Sequence, residues 1–177
     1  MERQSLNEAR VVPHERLPVP LTGDEKAMLE AFLDRYRETM LFKLQGVTTE
    51  QASTRIVPSA TTLLGVVKHL AYVERAWFQL RFAGEPVTFP WPEEEDDKDP
   101  DFRIESSDTV ESVSELYRKE TERSRAIVAG ASLDDMARSK ERRSSLRWIM
   151  LHMIEETARH AGHADILREL TDGAVGQ

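Results

Sequence analysis

The chain has 177 residues, of which 40% are hydrophobic and 32% charged, and its net charge is -8. This length suits one domain with its own core, and no apolar run reaches the ~18 residues that a membrane helix needs. The polar N-terminus lacks the apolar segment of a secretory signal, so we expect a cytoplasmic protein that does not contact membranes.

Cysteine is absent from the chain. Its absence excludes disulfides, thiolate metal sites and cysteine nucleophiles, so any bound metal must be held by His, Asp and Glu. No basic face with interleaved aromatic residues is present, so we expect no nucleic-acid partner.

Residues 1–21 are polar and contain three prolines, which predicts an extended N-terminal arm. Beyond it, four stretches repeat apolar residues at helical spacing. The predicted helices are Thr22–Leu44, Thr61–Phe82, Asp108–Ala129 and Ser145–Thr171. Capping boxes are predicted at Thr22 with Glu25 and at Asp108 with Glu111. No strand pattern is found, so residues 22–177 are predicted to form a single all-α domain, a four-helix bundle.

The connection between the second and third helices carries seven acidic residues between Pro90 and Asp101. We expect the carboxylates of Glu93 to Asp101 to face solvent. Trp91 and the basic segment 138–143 are candidates to contact a substrate.

The fourth helix carries polar residues on the face that should be core. Glu156 lies within ~80° of His152, His160 and His163 around the helix axis, on the same arc as apolar residues. An unpaired buried carboxylate costs several kcal/mol, and a metal cation would neutralise it directly.

The second helix has a matching feature, because His69 interrupts its apolar stripe. Glu156 and His160 are spaced i,i+4, which places both on one face. We therefore predict that His69, Glu156 and His160 hold a metal. His163 competes with Glu156 as the third ligand, and His152 is expected beside the site or in the core. Hydrogen-bonded core histidines and a Glu–His salt bridge are the alternatives.

The segment Lys68–Trp77 resembles the second helix of the DinB-like superfamily of metal-binding bundles, and Trp148–Arg168 resembles its fourth helix. Many members hold a metal with one His from the second helix and an H-x-x-x-H pair from the last. Glu156 replaces the first His of that pair, and the resulting His-Glu-His set is similar to the zinc site of mycothiol-dependent maleylpyruvate isomerases. His163 stands where many members carry Gln.

The resemblance implies an up-down-down-up bundle with a crossover connection and a Zn²⁺ ion, with Ni²⁺ as an alternative. It also implies transfer chemistry, in which a small thiol such as mycothiol or bacillithiol attacks a small electrophile, with His163 or His152 relaying protons. A zinc-dependent hydrolase and a non-enzymatic metal-binding bundle remain alternatives. An exposed stripe on the first or fourth helix could support a homodimer.

Overall fold

The computed structural model describes residues 10–11, 16–92, 99–141 and 143–175. Within these ranges the regular secondary structure is helical, apart from one pair of two-residue strands and an isolated bridge between Met136 and Ser145. The helices are α1 (Glu25–Lys43), α2 (Thr49–Ser53), α3 (Leu63–Glu74), α4 (Val110–Ala129) and α5 (Leu146–Asp172). A π-helix over Arg75–Phe82 continues α3, and a 3-10 turn covers Pro100–Phe102. None of these helices combines the length and apolar character that a membrane crossing requires.

The four predicted helices are present, but two predicted caps are wrong. Asp24, rather than Thr22, caps α1, because its carboxylate accepts a hydrogen bond from the N–H of Ala27 at 3.0 Å. Thr109 caps α4 through a capping box with Ser112. A side chain one or two residues away can fill the same role, so sequence alone placed these helix starts only roughly.

The N-terminal arm contributes a strand that the sequence did not predict. Strand β1 (Arg10–Val11) pairs in parallel with β2 (Ala174–Val175), directly after α5. Gly173, with φ of 76°, ends α5 in the left-handed region and turns the chain toward β2. A two-residue strand is too short to show an alternating pattern. Residues 1–9 and 12–15 of the predicted arm lie outside the described ranges.

The core has two apolar clusters, one toward each end of the helices. One includes Leu64, Leu70 and Leu167, and the other includes Phe78 and Ile149. Helix α1 packs mainly along α5, and α3 mainly along α4. Both clusters consist largely of apolar residues that recur at helical spacing in the sequence. Burial of these apolar faces stabilises the helices where they form.

Side-chain contacts between helices show the relative directions of the helices. Arg147, early in α5, pairs with Glu25 at the start of α1, whereas Arg168, late in α5, donates to the carbonyl of Lys43 at the end of α1. These two helices therefore run in the same direction. Lys68 and Gln79, early and late in the α3 segment, contact Asp108 and Glu120 in that order, so α3 and α4 also run in the same direction.

A buried ion pair fixes how α1 meets α3. Arg37 donates from Nε and Nη2 to the two carboxylate oxygens of Glu74, at 2.8 and 2.7 Å, and both side chains are almost completely buried. Removing one partner of such a pair leaves an uncompensated charge, a loss of about 3–5 kcal/mol. The pair therefore fixes the rotation of α3, and with it the face on which His69 lies.

Candidate metal centre

Helix α3 presents His69 from its second turn. The helix begins at Leu63, because the hydroxyl of Thr62 accepts a hydrogen bond from the N–H of Gly65 at 3.0 Å. His69 follows the fully buried Val66 by three residues, and its side chain is 13% exposed. The histidine therefore lies at the edge of the core, where both ring nitrogens have polar partners.

Helix α5 brings Glu156 and His160 to the same place. Oε1 of Glu156 lies 3.3 Å from Nε2 of His69 and 3.3 Å from Nε2 of His160. One ligand atom from each of the three residues lies within 4.8 Å of the others. The predicted convergence of His69, Glu156 and His160 is thus observed, while their role as ligands is a proposal.

The two distances from Glu156 to the histidines fit a small divalent cation. Zinc–ligand distances of 2.0–2.1 Å in a tetrahedral site place neighbouring ligand atoms about 3.3–3.4 Å apart. The two Nε2–Oε1 distances of 3.3 Å match that edge, and they exceed the usual 2.9–3.0 Å of a good N–H···O hydrogen bond. Two imidazoles and one carboxylate are also a ligand set that zinc accepts.

Asp101, which the sequence did not single out, fixes the orientation of His69. A carboxylate oxygen of Asp101 lies 2.7 Å from Nδ1 of His69, on the side of the ring away from Glu156. In a neutral imidazole the proton then resides on Nδ1, so Nε2 points a lone pair at the Glu156 carboxylate. A cation between these two acceptors, either a metal or a second proton, removes their repulsion.

The electrostatics of the metal-free cluster agree with this geometry. Burial alone would lower the pKa of His69, but the hydrogen bonds with Asp101 and Glu156 outweigh it and raise the pKa. The pKa of the Glu156 carboxyl is lowered, first by His160 and then by His69. Glu156 is therefore ionised, and the cluster attracts positive charge.

Gly65 allows the segment that carries Asp101 to approach α3. A Cβ atom at Gly65 would lie 2.6 Å from the carbonyl oxygen of Phe102, a distance that real Cβ contacts essentially never show. The Phe102 ring stacks on the His69 ring, with centroids 4.1 Å apart and planes 21° apart. The 3-10 turn therefore lies directly against the candidate ligand.

Asp101 also corrects the expectation that the acidic segment faces solvent throughout. Glu93–Lys98 lie outside the described residues, and Asp99 is exposed as expected. Asp101 is half-buried against His69. The sequence contains one indication of this contact: Phe102 and Ile104, two apolar residues directly after the acidic residues, bring the chain back to the core.

A cavity of about 790 Å³ opens beside the three candidate ligands. Its other walls come from the connection between α2 and α3 and from the segment after residue 98. The lining residues outside the cluster are Ser53, Arg55, Ser59, Ala60, Thr61, Thr62, Asp99, Phe102, Arg103 and Ile104. The cavity therefore combines a polar floor with hydroxyl groups and two arginines.

Trp91 and the described residues of segment 138–143, which the sequence offered as substrate contacts, do not line this cavity, so their contact with a substrate stays a prediction. Trp91 packs edge-on against Tyr72 with ring centroids 4.7 Å apart, and it does not line the cavity. Arg138 lies beside Gly84, beyond the end of the π-helix, and Arg142 falls outside the described part of the chain. The end of the π-helix is far from His69, so Arg138 does not reach this cavity.

His163 and His152 occupy different surroundings. Nδ1 of His163 lies 3.4 Å from Nδ1 of His160, on the ring edge opposite Glu156. Burial, followed by the charge of His160, lowers the pKa of His163. His152 stacks on Trp148, with centroids 5.2 Å apart, and meets Trp77 edge-on. His163 thus touches a candidate ligand, whereas His152 lies in an aromatic group outside the cluster.

A comparison with protein families assigns the chain to one of them. No curated protein matches the chain. The model of a family described as mycothiol S-transferase matches residues 28–173, a range that contains all five helices except the first residues of α1, together with the whole site. The chain therefore belongs to the mycothiol S-transferase family, within the DinB-like proteins.

Proposed function

We propose that this protein is a metal-dependent enzyme that transfers a low-molecular-weight thiol, of the mycothiol or bacillithiol type, to a small electrophile. The observation that carries the proposal is the convergence of His69, Glu156 and His160 beside an open cavity. Three protein ligands with an open fourth position are typical of catalytic rather than structural zinc sites. The family match supports the thiol as co-substrate.

The residues themselves fit a Zn²⁺ ion, with Ni²⁺ as the alternative. A divalent ion held there would favour the deprotonated form of a thiol and so increase its nucleophilicity at neutral pH. Glu156 supplies one negative charge, and His69 and His160 supply neutral nitrogens, so the site keeps a net positive charge toward the cavity. The chain has no cysteine, so the reacting sulfur must come from the co-substrate.

The remaining residues orient and exchange protons. Asp101 holds the His69 ring so that Nε2 points into the cluster. His163 contacts His160 and is exposed, so it can pass a proton between the site and solvent. His152 lies among aromatic residues, and we assign it a packing role instead.

The helix directions support an up-down-down-up bundle in one domain. Helices α1 and α5 share one direction, and α3 and α4 share another. His69, early in α3, contacts His160, late in α5, whereas Trp77, in the π-helix that continues α3, contacts Trp148, early in α5. The pair α1 and α5 therefore runs in the opposite direction to the pair α3 and α4. We propose that a crossover connection links the pairs and that the bundle functions in the cytoplasm.

We also propose a homodimer through the outer face of α5. Four exposed apolar side chains follow this face, namely Trp148, Leu151, Ile166 and Leu170. They are placed almost symmetrically about Arg159, so an antiparallel second copy would pair Leu151 with Ile166 and Trp148 with Leu170. Leu151→Arg should then shift the protein to monomer in sedimentation equilibrium; a wild-type protein that is monomeric at all concentrations would contradict the dimer.

Metal analysis followed by a thiol-consumption assay tests the function. We expect one equivalent of metal, and consumption of an electrophile such as 1-chloro-2,4-dinitrobenzene that requires both metal and added thiol. Electrophile or ester hydrolysis by the metal-loaded protein without thiol would favour a hydrolase instead. One bound metal with neither activity would favour a non-enzymatic bundle.

A further inference from the structure

Arg55 lines the same cavity as the candidate metal ligands. Its Nε and Nη2 atoms donate to the backbone carbonyls of Ser59 and Pro58, each at 3.1 Å. No carboxylate among the described residues contacts it. This contrasts with Arg37, which faces the carboxylate of Glu74.

The two backbone contacts hold the guanidinium in place without neutralising it. They occupy Nε and one hydrogen of Nη2, which leaves the edge formed by Nη1 and Nη2 available for a ligand. That edge matches the two oxygens of a carboxylate, which it binds through paired charge-assisted hydrogen bonds. Because the side chain is already ordered by its own loop, a ligand would not bear the full cost of ordering it.

The other charged residues of the cavity wall are already engaged. Arg103 donates from Nε to the carboxylate of Glu105 at 2.8 Å. Asp99 also has a protein partner. Glu156 contacts both histidines, and its second oxygen lies 3.1 Å from Nη1 of Arg159. Within the described lining, Arg55 is therefore the cation that an incoming anion would meet without displacing a protein carboxylate.

We propose that Arg55 binds a carboxylate group of the ligand, so that the enzyme acts on a carboxylate-bearing small molecule. The inference rests on the proposed thiol transfer and names a class of substrate for it. The carboxylate could belong to the electrophile or to the thiol, and the two sources share the same recognition chemistry. Arg55 acts here as a specificity-determining residue, with no part in the bond changes.

Four combinations of probes separate the two sources. The electrophiles are 4-chloro-3-nitrobenzoate and its neutral amide, and the thiols are N-acetylcysteine and N-acetylcysteine amide. In each reaction the thiolate sulfur attacks the ring carbon that carries chlorine and forms a C–S bond. The C–Cl bond breaks, chloride leaves with the bonding pair, and the thiol proton passes to the buffer.

We expect kcat/KM of the zinc-loaded wild type to favour one carboxylate probe over its amide by about tenfold or more, since a bidentate charged pair contributes at least that much. Arg55→Gln should remove this preference and leave the rate with the amide within about twofold. Arg55→Lys should keep part of it, because it retains the charge but loses the paired geometry. The component whose carboxylate carries the preference identifies the source.

Arg35→Gln is the matched control, because Arg35 also donates to a backbone carbonyl, that of Leu17 at 2.9 Å, but lies outside the cavity. It should leave the preference unchanged. A preference absent from the wild type, or equally strong in Arg55→Gln, would overturn the proposal for Arg55. Circular dichroism melting of each variant shows whether the loop change has altered the fold.

A binding measurement separates failure of this inference from failure of the proposed function. Titration calorimetry of metal-free protein with 4-nitrobenzoate and 4-nitrobenzamide measures carboxylate binding without any reaction. Stronger binding of the benzoate, lost in Arg55→Gln, would support the carboxylate site even if no probe reacts. Equal binding by the wild type within this pair, and also between N-acetylcysteine and its amide, would contradict it even if thiol transfer is observed.

Discussion

Asp101 and His69 are 32 positions apart in the chain, yet a carboxylate oxygen of Asp101 lies 2.7 Å from Nδ1 of His69. The contact leaves Nε2 as the nitrogen that His69 offers to Glu156 and His160. A carboxylate behind a ligating histidine fixes its tautomer and raises its basicity. The segment after residue 98 therefore belongs to the candidate metal centre as much as the two helices do.

The first prediction concerns this contact. Asp101→Ala should weaken zinc binding by ~10–100-fold, because the His69 ring loses its orienting partner. Asp101→Asn should lose less, since its amide oxygen still accepts from Nδ1–H. Competition with a chromophoric chelator measures the affinity. Asp99→Ala is the control, because Asp99 lines the same cavity whereas the carboxylate at Nδ1 of His69 is that of Asp101, and an equal loss in both variants would argue against the specific role of Asp101.

The second prediction concerns Gly65. Gly65→Ala should displace the 3-10 turn, because the added Cβ would lie 2.6 Å from the carbonyl of Phe102. We expect both a lower unfolding temperature and a loss of zinc affinity similar to that of Asp101→Ala. Gly162→Ala is the matched control: nothing lies within 4 Å of its added Cβ, so helix propensity should make it neutral or stabilising by up to ~1 kcal/mol. Unchanged zinc affinity in Gly65→Ala would mean that the turn does not support His69.

The third prediction concerns the anionic ligand. Glu156→Gln should weaken zinc binding, because an amide oxygen is a poorer ligand than a carboxylate, whereas Glu155→Gln, on the exposed face, should not. Glu156→Leu should abolish binding, because leucine offers no ligand atom. Zinc content after dialysis measures the stoichiometry. If Glu156→Leu kept one equivalent and His163→Ala lost it, His163 would be the third ligand.

The fourth prediction concerns pH. Burial lowers the pKa of His152 below its ordinary 6.5. The unfolded chain then binds this proton more readily than the folded protein, so the free energy of unfolding falls as the pH falls through 6.5. His152→Phe keeps a ring against Trp148, and it should lose less stability than the wild type between pH 7.5 and 5.5. Urea unfolding at several pH values gives the two slopes, and identical slopes would contradict the assignment.

Much of the fold follows from local spacing. Buried residues such as Ile149 and Leu167 repeat with the period of a helix, and a bundle must bury that face, so the four long helices could be predicted. His69, Glu156 and His160 were predictable for the converse reason, because they are polar residues in positions that burial would otherwise fill with apolar ones.

The rest of the site depends on long-range contacts that have no period. Asp101 belongs to a connection whose path is set by Gly65 and by the Phe102 ring on His69, and neither contact can be read from nearby residues. Arg55 likewise reaches the cavity through a loop held by backbone carbonyls. The caps at Asp24 and Thr109 were missed because several residues beside each helix start can act as caps.

The π-helix of Arg75–Phe82 has a consequence for comparing this chain with its relatives. Its hydrogen bonds span five residues, as in the bond from the N–H of Ala83 to the carbonyl of Phe78, so each turn holds one residue more than an α-helical turn. Deleting one residue from this segment would restore an α-helical turn without moving His69. Relatives whose α3 segment is one residue shorter should therefore align with a one-residue gap between positions 75 and 82. A gap placed nearer His69 would assign the wrong residue as the ligand.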